Sequence, residues 1–88
     1  RVQCLGYRLP RERAIACLLD LASRFGNVQG KYIVIDAPIT HQDIADSISI
    51  TRETASRALE LLFEDGLVIQ KNHLFVIKDT EKLQAELI

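Results

Sequence analysis

THQDIADSISITRETASRALELL, Thr40 to Leu62, governs how the rest of the 88-residue chain is read. The Thr40 hydroxyl can cap the free N–H groups of a helix start, and Asp43 completes a capping-box pattern. Ile44, Ala45 and Ile48 then recur at helical spacing. Ser49-Ile50 interrupts the pattern and Thr51 supplies a second cap. Ala55, Ala58, Leu59 and Leu62 continue as a second apolar stripe, with Leu59 expected where the helices meet. Two helices joined by a turn of about three residues make a helix-turn-helix, here over residues 40–63.

The second helix of the pair, expected over residues 51–63, keeps its polar residues on one side. At about 100° per residue, with Arg52 at zero, Ser56 falls near about 40°, Glu60 near about 80°, Glu53 near about 100° and Arg57 near about 140°. The apolar stripe centres near about 290°, so the polar set faces away from the core. An α-helix fits the major groove of duplex DNA. There, arginine matches guanine O6 and N7, and glutamate accepts from cytosine N4. Serine suits a base edge or a phosphate. Arg52, Glu53, Ser56 and Arg57 are therefore the candidate base-contacting residues. Thr40, His41, Thr51 and Thr54 are placed for phosphate oxygens, since hydroxyls and helix N-termini both suit them. The bland alternative is a solvated face with Glu53 and Arg57 as an i,i+4 ion pair contributing ~0.3–0.5 kcal/mol. This helix alone does not separate the two readings; the capped helix and short turn before it favour DNA.

Upstream, Pro10 fits the first turn of a helix, and Ile15, Leu18, Leu19, Ala22 and Phe25 mark its apolar stripe. Gly26-Asn27 stops it, and Gly30 and Lys31 lead into a short β-rich run, Tyr32 to Asp36, closed before Pro38. Downstream, Gly66 is the natural left-handed cap after Glu64-Asp65. Residues 67–78 read as two strands about a turn near Lys71-Asn72-His73, a wing whose tip, Lys71 above all, can touch phosphate or can be an ordinary polar turn. Asp79 can cap a last short helix through Leu87. The expected fold is mainly α with a small β-hairpin: a winged helix-turn-helix of three core helices plus a wing, one domain over residues 1–88.

Composition bounds what this domain can be. Nearly half the chain is apolar, enough for one compact core. No run approaches the ~20 apolar residues of a membrane span, no stretch reads as a signal peptide, and a cytoplasmic location is expected. Beginning at Arg1 rather than Met, the chain is expected to be part of a longer protein. The net charge of −1 is not that of a polycation, so anion binding must come from local placement. Arg1, Arg8, Arg11, Arg13, Arg24 and Lys31 stand against only Glu12 and Asp20 in the first third. The acidic surplus after Asp36 leaves two placements open, away from DNA or toward RNA polymerase. Cys4 and Cys17 have no metal-ligand spacing and His41 and His73 lie far apart, so no metal site is expected. No nucleophile–base pair or glycine-rich phosphate loop points to an enzyme.

The segments THQDIA, TRETASRALELL and EDGLV closely resemble the C-terminal DNA-binding domain of the cyclic-AMP receptor protein/fumarate–nitrate regulator (Crp/Fnr) family. The specific matches cover about a third of the chain, Ile39 to Val68, and the flanking elements follow the family order. The resemblance implies base contacts by Arg52, Glu53 and Arg57 as in one branch, and by Glu53, Ser56 and Arg57 as in another. Half-sites of the TGTGA or TTGAT kind are implied. It also implies a homodimer on a palindromic operator and an N-terminal effector domain outside this chain, with residues 1–9 as the hinge remnant. No cofactor is expected in the domain itself, and the effector is not named by it. Two positions depart from the pattern: Ser49 replaces the usual turn glycine, and Ala55 replaces a bulky aliphatic residue. A winged-helix module for protein–protein contact is the competing reading, because fold alone does not decide function.

Overall fold

The computed structural model describes residues 9–87. The expected hinge over residues 1–9 therefore lies, apart from Leu9, outside the described residues, as does Cys4. Helix α1 (Pro10–Phe25) opens on its proline and ends at Gly26. A Cβ at Gly26 would collide with the Ala22 carbonyl and the Ile33 side chain, so only glycine lets the chain pass directly from helix into strand. The strands β1 (Gly26–Gln29) and β2 (Tyr32–Ile35) form a hairpin turning through Gly30 at φ 66°. β1 is an element that the sequence reading left out. It is exposed along its whole length, so no apolar alternation marks it.

Helices α2 (His41–Ser47) and α3 (Arg52–Glu64) follow as the expected pair. Thr40 and Asp43 make the full capping box, with Asp43 N–H donating to Thr40 Oγ1 at 3.0 Å and Thr40 N–H donating to Asp43 Oδ2 at 2.8 Å. Thr51 caps α3 through Thr54 N–H at 3.1 Å. Both helices end in the same motif. After α2, Ser49 takes φ 60° and Ile50 N–H donates to Ala45 O at 3.0 Å. After α3, Gly66 takes φ 76° and Leu67 N–H donates to Leu62 O at 3.2 Å. These are Schellman closures, which need a left-handed residue just past the helix. Serine does at the first what glycine does at the second.

Strands β3 (Val68–Lys71) and β4 (Leu74–Ile77) form the wing, and α4 (Thr80–Ala85) is capped by Asp79 as expected. The two hairpins join into one antiparallel sheet of order β1-β2-β4-β3, with Ile33 opposite Ile77 and Val34 opposite Val76. The sheet thus has four strands where the sequence reading expected only the wing hairpin. The core lies between this sheet and the helices. It includes Ile15, Leu18, Ile44, Ile48, Leu59, Leu62, Phe75 and Leu83, all fully buried. Cys17 is buried as a small core residue. Phe25, expected on the α1 stripe, is instead 46 % exposed, because the last turn of α1 runs past the core into the hairpin. Among the described residues no polar or charged side chain is buried, so the functional chemistry is all at the surface. No described helix is long and apolar enough to cross a membrane.

Candidate nucleic-acid interface

α3 buries Ala55, Ala58, Leu59 and Leu62, and this leaves Arg52, Glu53, Arg57 and Glu60 exposed. Ala55 is fully buried, and its small side chain permits close approach of α2 to α3. Glu53 and Arg57 form no ion pair; those among the described residues are Arg11 with Asp65 and Glu86, and Arg24 with Asp20. The charged groups on the outer face of α3 are thus open to a ligand rather than spent on one another.

Two grooves flank that face. The larger, about 500 Å³, is walled by Pro38 to Gln42 at the entry to α2, by Arg52 at the start of α3, and by Gln70 and His73 of the wing. It brings Thr40, His41 and Arg52 together from separate elements. The second, about 340 Å³, runs between the start of α1 and the far side of α3, with Leu9, Pro10, Arg11, Thr54, Arg57, Ala58 and Leu61 on its walls. Arg52 and Arg57 therefore stand on opposite flanks of one helix, the first beside the wing and the second beside α1.

The hydroxyls are ordered by the caps. Thr51 Oγ1 donates to Thr54 Oγ1 at 2.8 Å while accepting from Thr54 N–H. The Thr51 proton is consumed inside the protein, and the Thr54 hydroxyl keeps its own for an outside acceptor. Ser56 and His41 are half-buried and bonded to each other, with Oγ and Nδ1 2.9 Å apart. The His41 ring stacks on Phe75 with centroids 6.0 Å apart, and Phe75 stacks in turn on Phe63 at 6.4 Å. Lys71 is exposed at the end of β3 and lies outside both grooves. Asn72 and His73 both take left-handed backbone, at φ 54° and 65°, forming the tight two-residue wing turn.

Asp43 is the one site-adjacent carboxyl with a distinct proton affinity. The Thr40 backbone N–H, and then its hydroxyl, hold it below the usual carboxylate range. Gln42 and Gln70, on the groove walls, were not singled out in the sequence. No local pattern marks them, because they meet only when the wing packs beside α2. No cluster of three or more His, Cys, Asp or Glu suited to a metal occurs among the described residues.

A family model described as the Crp-like helix-turn-helix domain matches residues 12–86. The chain is similar to the nitrogen fixation regulation protein FixK of Azorhizobium caulinodans, with 33% identity over 91% of this chain and 33% of that protein. It is similar to the lactate racemization regulatory protein of Lactiplantibacillus plantarum, with 36% identity over 77% of this chain and 31% of that protein. Among solved structures, a CRP-family transcriptional regulator from Thermus thermophilus superposes with TM-score 0.82 at 26% identity, over 96% of this chain and 43% of that one. Oxidized CprK in complex with o-chlorophenolacetic acid shares the fold, with TM-score 0.79 at 20% identity, over 89% of this chain and 33% of that one. The chain spans about a third of the length of the curated relatives it matches.

Proposed function

This chain belongs to the Crp-like helix-turn-helix family and is a DNA-binding domain of a Crp/Fnr-type regulator, and from that premise we propose that α3 reads one half-site of a two-fold operator in the major groove. The observation that carries the reading is the open state of Glu53 and Arg57, four residues apart on an exposed face and unpaired. Arg52, Glu53, Ser56 and Arg57 take the base edges. Thr40, His41, Thr54 and Lys71 hold phosphates, joined by Gln42, Gln70 and His73 of the wing-side groove. Thr51 serves chiefly by capping α3 and orienting Thr54. The domain itself acts without a cofactor and without catalysis; the effector is sensed elsewhere in the protein, in the cytoplasm.

One domain offers one recognition helix, and a single module buries only ~600–1,000 Å² on DNA. Pairing two domains in a homodimer places the second half-site at high effective concentration and can raise avidity ~10²–10⁴-fold. Half-sites are then expected ~10–10.5 base pairs apart, centre to centre. RNA polymerase is a further partner for the acidic surface outside the DNA face.

The test is selection of duplexes from a random pool, followed by titration of selected and scrambled duplexes over a range of salt. Binding should weaken steeply with salt. Arg57→Ala should cost ~1–3 kcal/mol at the selected site and relax preference at one base pair. Glu53→Ala should lower discrimination more than affinity, since its carboxylate rejects wrong sites. Equal loss on selected and scrambled DNA would make Arg57 a phosphate contact. Failure to select any duplex would favour the protein-contact reading, for which exposed Leu61 beside Leu9 offers the apolar patch.

A further inference from the structure

Ser56 and His41 are assigned to different tasks, a base edge and a phosphate, yet their side chains are bonded to each other at 2.9 Å. The ring that makes this bond is held on several sides. Phe75, fully buried, stacks against it, and Phe63 stands behind Phe75. Its backbone is the first residue of α2, anchored by the Thr40–Asp43 capping box. With ring and helix fixed, the variable left at this contact is the proton.

We propose that His41 is a specificity-determining residue that sets the hydrogen-bonding sense of Ser56, so that proton uptake by His41 turns the serine from an acceptor into a donor toward DNA; this rests on α3 being the recognition helix. In the neutral imidazole with hydrogen on Nε2, Nδ1 accepts the Ser56 O–H and the serine presents only lone pairs outward. Those suit the amino hydrogens of cytosine or adenine. In the imidazolium, Nδ1–H donates to Ser56 Oγ, and the hydroxyl hydrogen is released to seek an acceptor such as guanine N7 or O6, thymine O4 or a phosphate. Nε2, which makes no hydrogen bond among the described residues, is then a second N–H for the wing-side groove that His41 lines.

The charged and titratable groups about the ring come from three elements. Asp43, on its own helix, has its carboxylate engaged by Thr40. Arg52 from α3 and His73 from the wing turn line the same groove. Arg52 opposes a second cation in the free protein, and a bound phosphate reverses that balance. Proton uptake therefore accompanies DNA binding.

The experiment follows affinity for a duplex selected by the protein from a random pool between about pH 8 and pH 6, where histidine exchanges its proton. The parent protein should bind more tightly as pH falls, by up to about tenfold per pH unit for each domain engaged. His41→Asn keeps an amide that can bond Ser56 and does not titrate, so binding should persist while the pH dependence disappears. His73→Asn should leave the dependence in place. Ser56→Ala should retain the slope and lose the pH-dependent change in base preference. NMR titration of the His41 ring in the parent should show it protonating at higher pH in the complex than free, a readout that needs no variant. A slope that survives His41→Asn, a slope abolished by His73→Asn, or an identical His41 titration with and without DNA overturns the proposal while the DNA reading stands. Failure to select or bind any duplex at every pH overturns both.

Discussion

Arg13, near the start of α1, donates from Nη1 to the carbonyl oxygen of Ile48 at 3.2 Å. Ile48 is the residue that closes α2, where carbonyls have no helical partner of their own. The contact joins two positions 35 residues apart and ties the turn of the helix-turn-helix to the first helix of the domain. Arg13→Ala should lower stability by about 1.5 kcal/mol, the lower end for a charged hydrogen bond because the site is only part-buried. Arg13→Lys should recover part of it. Chemical denaturation of the three proteins checks this; unchanged stability in the alanine variant would make the contact incidental.

The turn itself should be improvable. Ser49 occupies left-handed backbone at φ 60°, which costs a residue with a Cβ roughly 1–2 kcal/mol. Glycine removes that strain and returns part of the gain through its freer unfolded chain. Ser49→Gly should therefore stabilise by about 0.5–1 kcal/mol. At Gly66, where a Cβ would meet nothing within 4 Å, alanine should destabilise for the conformational reason alone. Opposite signs for the two substitutions in thermal melts are the expected result.

Leu59 is fully buried on α3, with Ile15 and Leu18 of α1 and Ile44 of α2 in the same core cluster. Leu59→Ala should destabilise by ~2–5 kcal/mol, a transfer loss plus the cavity left behind. In a domain of this size that loss is a large share of the total. Calorimetry on the variant with an intact DNA face separates stability from recognition, and an unchanged melting temperature would put Leu59 outside the core.

Acid should fray α2 before the core yields. The Asp43 carboxyl is held below its ordinary range by the Thr40 backbone N–H and then the hydroxyl. A carboxyl depressed on folding adds stability that is present above its unfolded pKa and is lost as pH falls through its folded one. The loss at α2 should therefore begin below about pH 4, the ordinary aspartate value. Asp43→Asn should remove this acid dependence. Amide exchange at the first turn of α2, followed from about pH 5 downward, is the measurement.

Most of the fold was legible because its signals are local. A cap, a run at helical spacing and a stop occur within a dozen residues at α2 and again at α3. Each acts through backbone groups a few positions away, so Thr40, Asp43, Thr51, Gly66 and Asp79 are found at the ends expected of them. The polar face of α3 was legible for the same reason, since angle around a helix follows from residue number. β1 was not, because an edge strand exposed along its length is defined by its pairing with β2 and carries no period of its own.

The sequence by itself determined the helix-turn-helix, its caps and the set of side chains on the reading face. It also determined that Ser49 would sit where glycine is usual. Only the tertiary structure decided that Arg52 shares a groove with the wing while Arg57 faces α1, that Glu53 and Arg57 stay unpaired, and that His41 is bonded to Ser56 against Phe75. The physical reason is range. Capping and periodicity are interactions along one helix, whereas a groove, a ring stack and a bond between helices require elements far apart in sequence to be packed together by the common core.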